Sequence, residues 1–112
     1  MDISIDERPE ALVVSVTGKI DASNSPKVEK QIATYTTRVQ KVVILDLLGT
    51  EYMSSAGLRV VLVFAKKLKE KGQDLIISGL QGHVKEVFEL SGLYSIFRIF
   101  QTVDDAMNAI EE

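Results

Sequence analysis

Val42-Val43-Ile44-Leu45-Asp46-Leu47 is a run of apolar and β-branched residues broken by a single carboxylate. Neither the two-residue period of a half-buried strand nor the 3.6-residue period of a surface helix fits so continuous a run. It therefore predicts a strand covered on both faces. A few residues later, Tyr52-Met53-Ser54-Ser55-Ala56-Gly57-Leu58-Arg59 leads into a helix. From Leu58 onward, Val61, Leu62, Ala65 and Leu68 recur at helical spacing, and Ser54 or Ser55 stands where an N-cap hydroxyl accepts a backbone N–H from the first turn. A phosphate at that point would meet unpaired backbone N–H groups.

The flanking sequence extends this strand-to-helix unit in both directions. Ile3 to Arg8 alternates like an edge strand, Pro9-Glu10 makes a turn, and Ala11 to Thr17 places Leu12, Val14 and Val16 on one face, so the two predict a hairpin. Asp21-Ala22-Ser23-Asn24-Ser25-Pro26 is dense in capping residues, with Pro26 suited to the first helical position. Val28, Ile32, Tyr35 and Val39 then predict a helix to about Arg38. Strand three is expected over Lys41 to Asp46, helix two over Ala56 to Lys71 with Gly72 as its stop, and a strand over Leu75 to Ser78. Val84, Val87, Phe88 and Leu90 predict a third helix ending near Gly92. Ile96 to Phe100 is expected as the last strand, and Thr102-x-x-Asp105 resembles a capping box opening a helix with Ala106, Met107 and Ile110.

Strand-helix units in series after a hairpin imply an α/β fold: a mostly parallel sheet with an N-terminal antiparallel hairpin and four helices, successive helices sharing a side where strand order keeps one direction. Sites in such sheets lie beyond the carboxyl ends of the strands, so Asp21, Asp46 and Ser55 are expected on one edge. The chain has 112 residues, 46% of them apolar, enough for one domain, 1–112, with its own core. A net charge of −3 argues against a nucleic-acid or anionic-membrane surface, either of which requires a basic excess. With no Cys and one His, no Cys/His metal site is expected. The start alternates apolar and polar residues rather than forming a basic segment with an apolar core, which predicts a cytoplasmic protein.

Asp-Leu, a short spacer and then aromatic-Met-x-Ser-x-Gly-Leu resembles the STAS domain family, in its short form of bacterial anti-sigma factor antagonists of the partner-switching type. Gly18-Lys19-Ile20-Asp21 and Leu90-Ser91-Gly92-Leu93 are similar to flanking motifs of the family, so the resemblance spans essentially the whole chain. Two positions depart from it: Ser54 stands where the family usually has Asp, and Ala56 where it has Ser or Thr. The resemblance implies phosphorylation at Ser55, with Ser54 as a rival acceptor. It also implies a partner-binding surface that includes Asp21, Asp46, Ser54 and Ser55, continued along the helix by Gly57, Leu58, Arg59, Val60 and Val63. The implied partners are a GHKL-type serine kinase acting as anti-sigma factor and a resetting PP2C-type phosphatase. ATP and metal ions belong to those partners, and the chain itself needs no cofactor. The family also supplies accessory subunits to membrane transporters, the alternative function.

Simple readings stand beside these. Helix capping alone accounts for a Ser pair between strand and helix, and Asp21 and Asp46 suit turns and strand ends. A hydrolase nucleophile elbow requires Gly two residues before the serine, where this chain has Met53. His83, opening the third helix, reads as a surface capping group rather than a base. No phosphate-binding loop of the Gly-x-x-x-x-Gly-Lys-Ser/Thr type occurs. An enzyme is thus not expected. Val60-Val61-Leu62-Val63-Phe64-Ala65 is apolar around more of a helix than one stripe requires. It marks either a central helix flanked by neighbours or one leaving Val60, Val63 or Phe64 exposed beside Ser55. Lys66, Lys67, Lys69 and Lys71 read as the solvated end of that helix, where cations complement its dipole.

Overall fold

The computed structural model describes residues 1–35 and 42–111. The order is β1 (Asp2–Glu7), β2 (Leu12–Ile20), α1 (Ser25–Tyr35), β3 (Val42–Asp46), β4 (Thr50–Met53), α2 (Ser55–Glu70), β5 (Asp74–Ser78), α3 (Gly82–Leu90), a 3₁₀ turn (Leu93–Ser95), β6 (Arg98–Phe100) and α4 (Val103–Glu111). The expected continuation of the first helix through Arg38 and Val39, and the expected start of strand three at Lys41, lie outside the described residues.

The strands form one sheet in the order β1-β2-β3-β5-β6, with β4 also hydrogen-bonded to β2. β1 and β2 are the antiparallel hairpin, and the remaining pairs are parallel. The expected fold is therefore the one observed. Alternation along the strands divides the core in two. Leu12, Val14, Val16, Val43, Leu45 and Ile77 pack against α1, α2 and α3. Val13, Ile44 and Ile76 pack against Ala106 and Met107 of α4. Ile44 and Leu45, consecutive and at most 1% exposed, bury opposite faces of β3, so the continuous apolar run is explained by helices on both sides. The first three helices are crossovers between parallel strands and share a face, as right-handed connection requires. Among the described residues no strand follows α4, which is free of that rule and closes the other face.

Several boundaries differ from expectation. β2 continues past Thr17 to Ile20, and Thr50–Met53, expected as a spacer, is a strand. β6 is shorter than the expected Ile96 to Phe100 because the 3₁₀ turn at Leu93–Ser95 uses up the preceding chain. Leu90, counted with the apolar face of α3, is 81% exposed. It is the last helical residue before Gly92 reverses the chain at φ 75°, and Leu93 takes the buried position instead.

Two glycines in left-handed conformation isolate one steric constraint. Gly79 has φ +77°, and a Cβ there would lie 2.7 Å from both Leu48 N and Asp46 Oδ1, whereas Gly92 at φ +75° has nothing within 4 Å. Gly92→Ala is expected to cost about 1–2 kcal/mol for the backbone conformation alone. Gly79→Ala should lose a further ~1–3 kcal/mol to overpacking. Urea unfolding of the two variants measures the difference, and equal losses would refute a close-packed corner at Gly79.

Candidate functional site

The site begins with the way β2 changes neighbours. Leu12 to Ser15 pair with β3, the register shifts between Gly18 and Lys19, and Gly18 to Ile20 pair with β4. Between these stretches the chain turns a corner from β3 into β4. Asp46 Oδ1 accepts hydrogen bonds from Leu48 N (3.2 Å) and Ser78 Oγ (3.3 Å), and Thr50 N donates to Leu47 O (3.0 Å). The buried Thr50 hydroxyl donates to Val16 O at 2.7 Å, fastening β4 to β2. Ser54 N then donates to Ile20 O at 2.9 Å, so β2 and β4 end side by side and release α1 and α2 from one edge.

At that edge the two serines divide their roles. Ser54 is the N-cap of α2: its backbone is extended (φ −83°, ψ 174°) and its Oγ accepts from Gly57 N at 3.3 Å. Ser55 is the first helical residue and exposed, and among the described residues its hydroxyl makes no hydrogen bond. Gly57 is buried because the helix starts directly on the strand ends. A Cβ there would come within 2.9 Å of both Ile20 Cγ2 and Met53 Cγ. Ser55, Ala56, Arg59 and Val60 form one wall of a cleft of about 360 Å³, and Ser25, Pro26 and Glu29 of α1 form the other.

The loop from β2 into α1 is held by its own side chains. Asn24 donates to Lys19 O (2.7 Å) and accepts from Asp21 N (3.0 Å), while Ser23 donates through both its hydroxyl and its N–H to Asp21 Oδ1. The Ser23 hydroxyl, its N–H and the nearby Lys19 charge hold the Asp21 carboxyl below the usual carboxylate range of 3.8. Asp21 therefore presents a fixed negative charge next to the Ser54–Ser55 turn.

The structure brings Asp21, Ser54 and Ser55 to one edge, but not Asp46. Asp46 is level with Ser15 and Met53 with Ile20, a separation of roughly 17 Å at ~3.3 Å per residue along β2, and Ser54 lies one residue further on. β4 occupies the space between, and the Asp46 carboxylate is engaged by Ser78, Leu48 and, at 3.5 Å, the Ser15 hydroxyl. Along α2, Arg59 is exposed, Leu58 and Val63 are half-buried, and Val60 and Phe64 are each 5% exposed. The exposed strip considered for Val60, Val63 and Phe64 is thus absent: α1 packs over it, and Leu62 carries the outward apolar surface.

His83 is exposed but is not a helix cap. Gln81 holds the cap position of α3, and its amide donates to Leu48 O at 2.8 Å. The His83 ring stacks on Tyr52, with centroids 4.9 Å apart and planes 3° from parallel, and its Nε2 lies 3.4 Å from Met53 O. This pair, which ties α3 to the strand just before Ser54, was not legible in the sequence, because Tyr52 and His83 meet only through β4. Lys67 pairs with Glu29 of α1 at 3.7 Å, one of the expected lysines doing more than facing solvent.

Comparison with known proteins gives a consistent result. Residues 2–106 match the STAS domain. The chain is 35% identical to BtrV of Bordetella bronchiseptica over 99% of its own length and 96% of that protein. It is 33% identical to the anti-sigma-B factor antagonist of Listeria monocytogenes, covering 96% of this chain and 95% of that one. An anti-sigma factor antagonist from Mycobacterium paratuberculosis, 25% identical, superimposes with a TM-score of 0.90 over 99% of this chain and 94% of its own.

The division between the serines has a measurable consequence. Ser54→Ala removes the cap and is expected to lower the unfolding free energy by about 0.5–2 kcal/mol. Ser55→Ala, at an exposed first-turn position, should stay within about 0.5 kcal/mol of the parent. Denaturant unfolding of both variants checks this, and a larger loss for Ser55→Ala would reverse the roles.

Proposed function

The chain belongs to the STAS domain family, and on that basis we propose that it is an anti-sigma factor antagonist working by partner switching. Unphosphorylated, it binds a GHKL-type serine kinase that acts as the anti-sigma factor. That kinase transfers the γ-phosphoryl group of its ATP to Ser55, and a PP2C-type phosphatase removes it by hydrolysis. In the transfer, Ser55 Oγ forms the new bond to phosphorus, ADP leaves, and the hydroxyl proton passes to a base on the kinase or to water. The chain is a substrate and a binding surface in this scheme, not an enzyme.

One observation carries the reading: an exposed hydroxyl with no intramolecular hydrogen bond among the described residues stands at the head of a sixteen-residue helix, flanked by a cleft. An acceptor serine must be reachable and must tolerate a phosphate afterwards. A phosphoserine carries about −1.5 to −2 charges. A helix N-terminus favours an anion by roughly 0.3–1 kcal/mol, so modification leaves α2 in place. Ser54 is half-buried and committed to the cap, which disfavours it as the acceptor. His83 is engaged by Tyr52 and Met53, which supports the non-enzymatic reading. Among the described residues no helix is long and apolar enough to cross a membrane.

Two experiments test the proposal. With candidate GHKL-type kinases from the same cells and labelled ATP, Ser55→Ala should abolish labelling, while Ser54→Ala alters only its rate. Undiminished labelling of Ser55→Ala would overturn the assignment. Calorimetry against the kinase that labels the chain should show affinity falling by roughly 30-fold to several thousand-fold on phosphorylation, the equivalent of about 2–5 kcal/mol at a packed interface. Circular dichroism should remain unchanged. Unaltered affinity, or loss of helix, would contradict a switch acting by local charge and shape.

A further inference from the structure

Arg59 lies one turn after Ser55 on α2, and both line the same cleft. Side chains four residues apart on a helix are neighbours, with Cβ atoms about 5–6 Å apart. Because the Cα–Cβ bonds tilt toward the helix N-terminus, the side chain at position 59 covers the turn that carries position 55. Arg59 is exposed, and among the described residues it holds no ion pair. The other charged groups nearby are already engaged or do not line the cleft. Glu29 on the α1 wall is paired with Lys67, Asp21 accepts from Ser23, and Lys27 is exposed on α1.

We infer that Arg59 is the intramolecular clamp of a phosphate on Ser55. This rests on the reading of Ser55 as the phosphorylated residue and adds what the rest of the chain does in response. A guanidinium offers parallel N–H donors that match two phosphate oxygens, and a pair formed within one helix turn needs only side-chain rotation. Phosphorylation then does two things to the partner-facing surface. It adds a dianion at the cleft mouth, and it withdraws the cation that stood free beside Ser55. The unmodified cleft mouth offers Arg59 to an acidic partner group, whereas the modified one offers excess negative charge. Arg59 acts here as a positioning residue for the phosphate.

The test uses the full chain with phosphoserine installed at position 55 during synthesis, followed by ³¹P NMR across pH. An exposed phosphoserine has a second pKa of about 6. The parent phosphoprotein should titrate below that value, and Arg59→Gln should raise its pKa by about half a unit or more. Arg59→Lys should fall between, since an ammonium supplies the charge without the fork. Lys85→Gln on α3 serves as the remote control and should leave the titration unchanged. Circular dichroism of the unmodified variants shows that each is folded. If Arg59→Gln and the parent titrate together, the clamp is overturned. Kinase labelling tests the regulatory reading separately, because the installed phosphate titrates whether or not a kinase recognises Ser55.

Discussion

β2 hydrogen-bonds β3 through Leu12 to Ser15 and then β4 through Gly18 to Ile20, and the geometry of the cleft depends on this succession. One nine-residue strand serves two shorter ones laid end to end, joined by the corner at Leu47–Gly49. Buried hydrogen bonds enforce the arrangement. The Thr50 hydroxyl would be left unsatisfied at a buried position without Val16 O, a loss of about 1–3 kcal/mol. The irregularity at Gly18, where φ is +93°, lets the strand change register between its two neighbours. Because β2 and β4 then end together, the N-termini of α1 and α2 emerge side by side and the cleft exists between them.

Within that frame, replacing the family's usual Asp by Ser54 keeps one property and removes another. Asp and Ser are comparable N-caps, so the helix start is preserved by the hydroxyl that accepts from Gly57 N. The formal charge is not preserved. A phosphate on Ser55 would therefore meet one fewer adjacent anion, with Asp21 held by Ser23 and Glu29 of the same cleft paired with Lys67. The cap and the exposed hydroxyl thereby fall on consecutive residues, Ser54 and Ser55.

Much of this was legible in the sequence where local signals were strong. The continuous run into Leu47 marked a strand covered on both faces, and Ile44 and Leu45 are buried against helices on opposite sides. The capping chemistry before α2 and α4 located their starts, with Thr102 Oγ1 accepting from Asp105 N at 3.0 Å. β4 was not legible, because four residues with only Thr50 and Met53 buried give no period to detect. Missing that strand is what placed Asp46 beside Ser55. The carboxylate instead fixes the β3–β4 corner, where Gly79 also has to approach without a side chain.

The sequence by itself determined the four helices and every strand except β4, since periodicity and capping act over a few neighbouring residues and need no knowledge of the rest of the chain. It also placed Ser54 and Ser55 at the turn that opens α2, where either hydroxyl can cap the helix. Tertiary structure decided which serine caps and which is exposed, because that choice depends on Ser54 N reaching Ile20 O, a residue thirty-four positions earlier. It likewise decided that Val60 is buried under α1 while Arg59, its neighbour, stands free at the cleft. Both outcomes follow from hydrogen bonds and packing between segments distant in sequence, whose spatial relation no local pattern encodes.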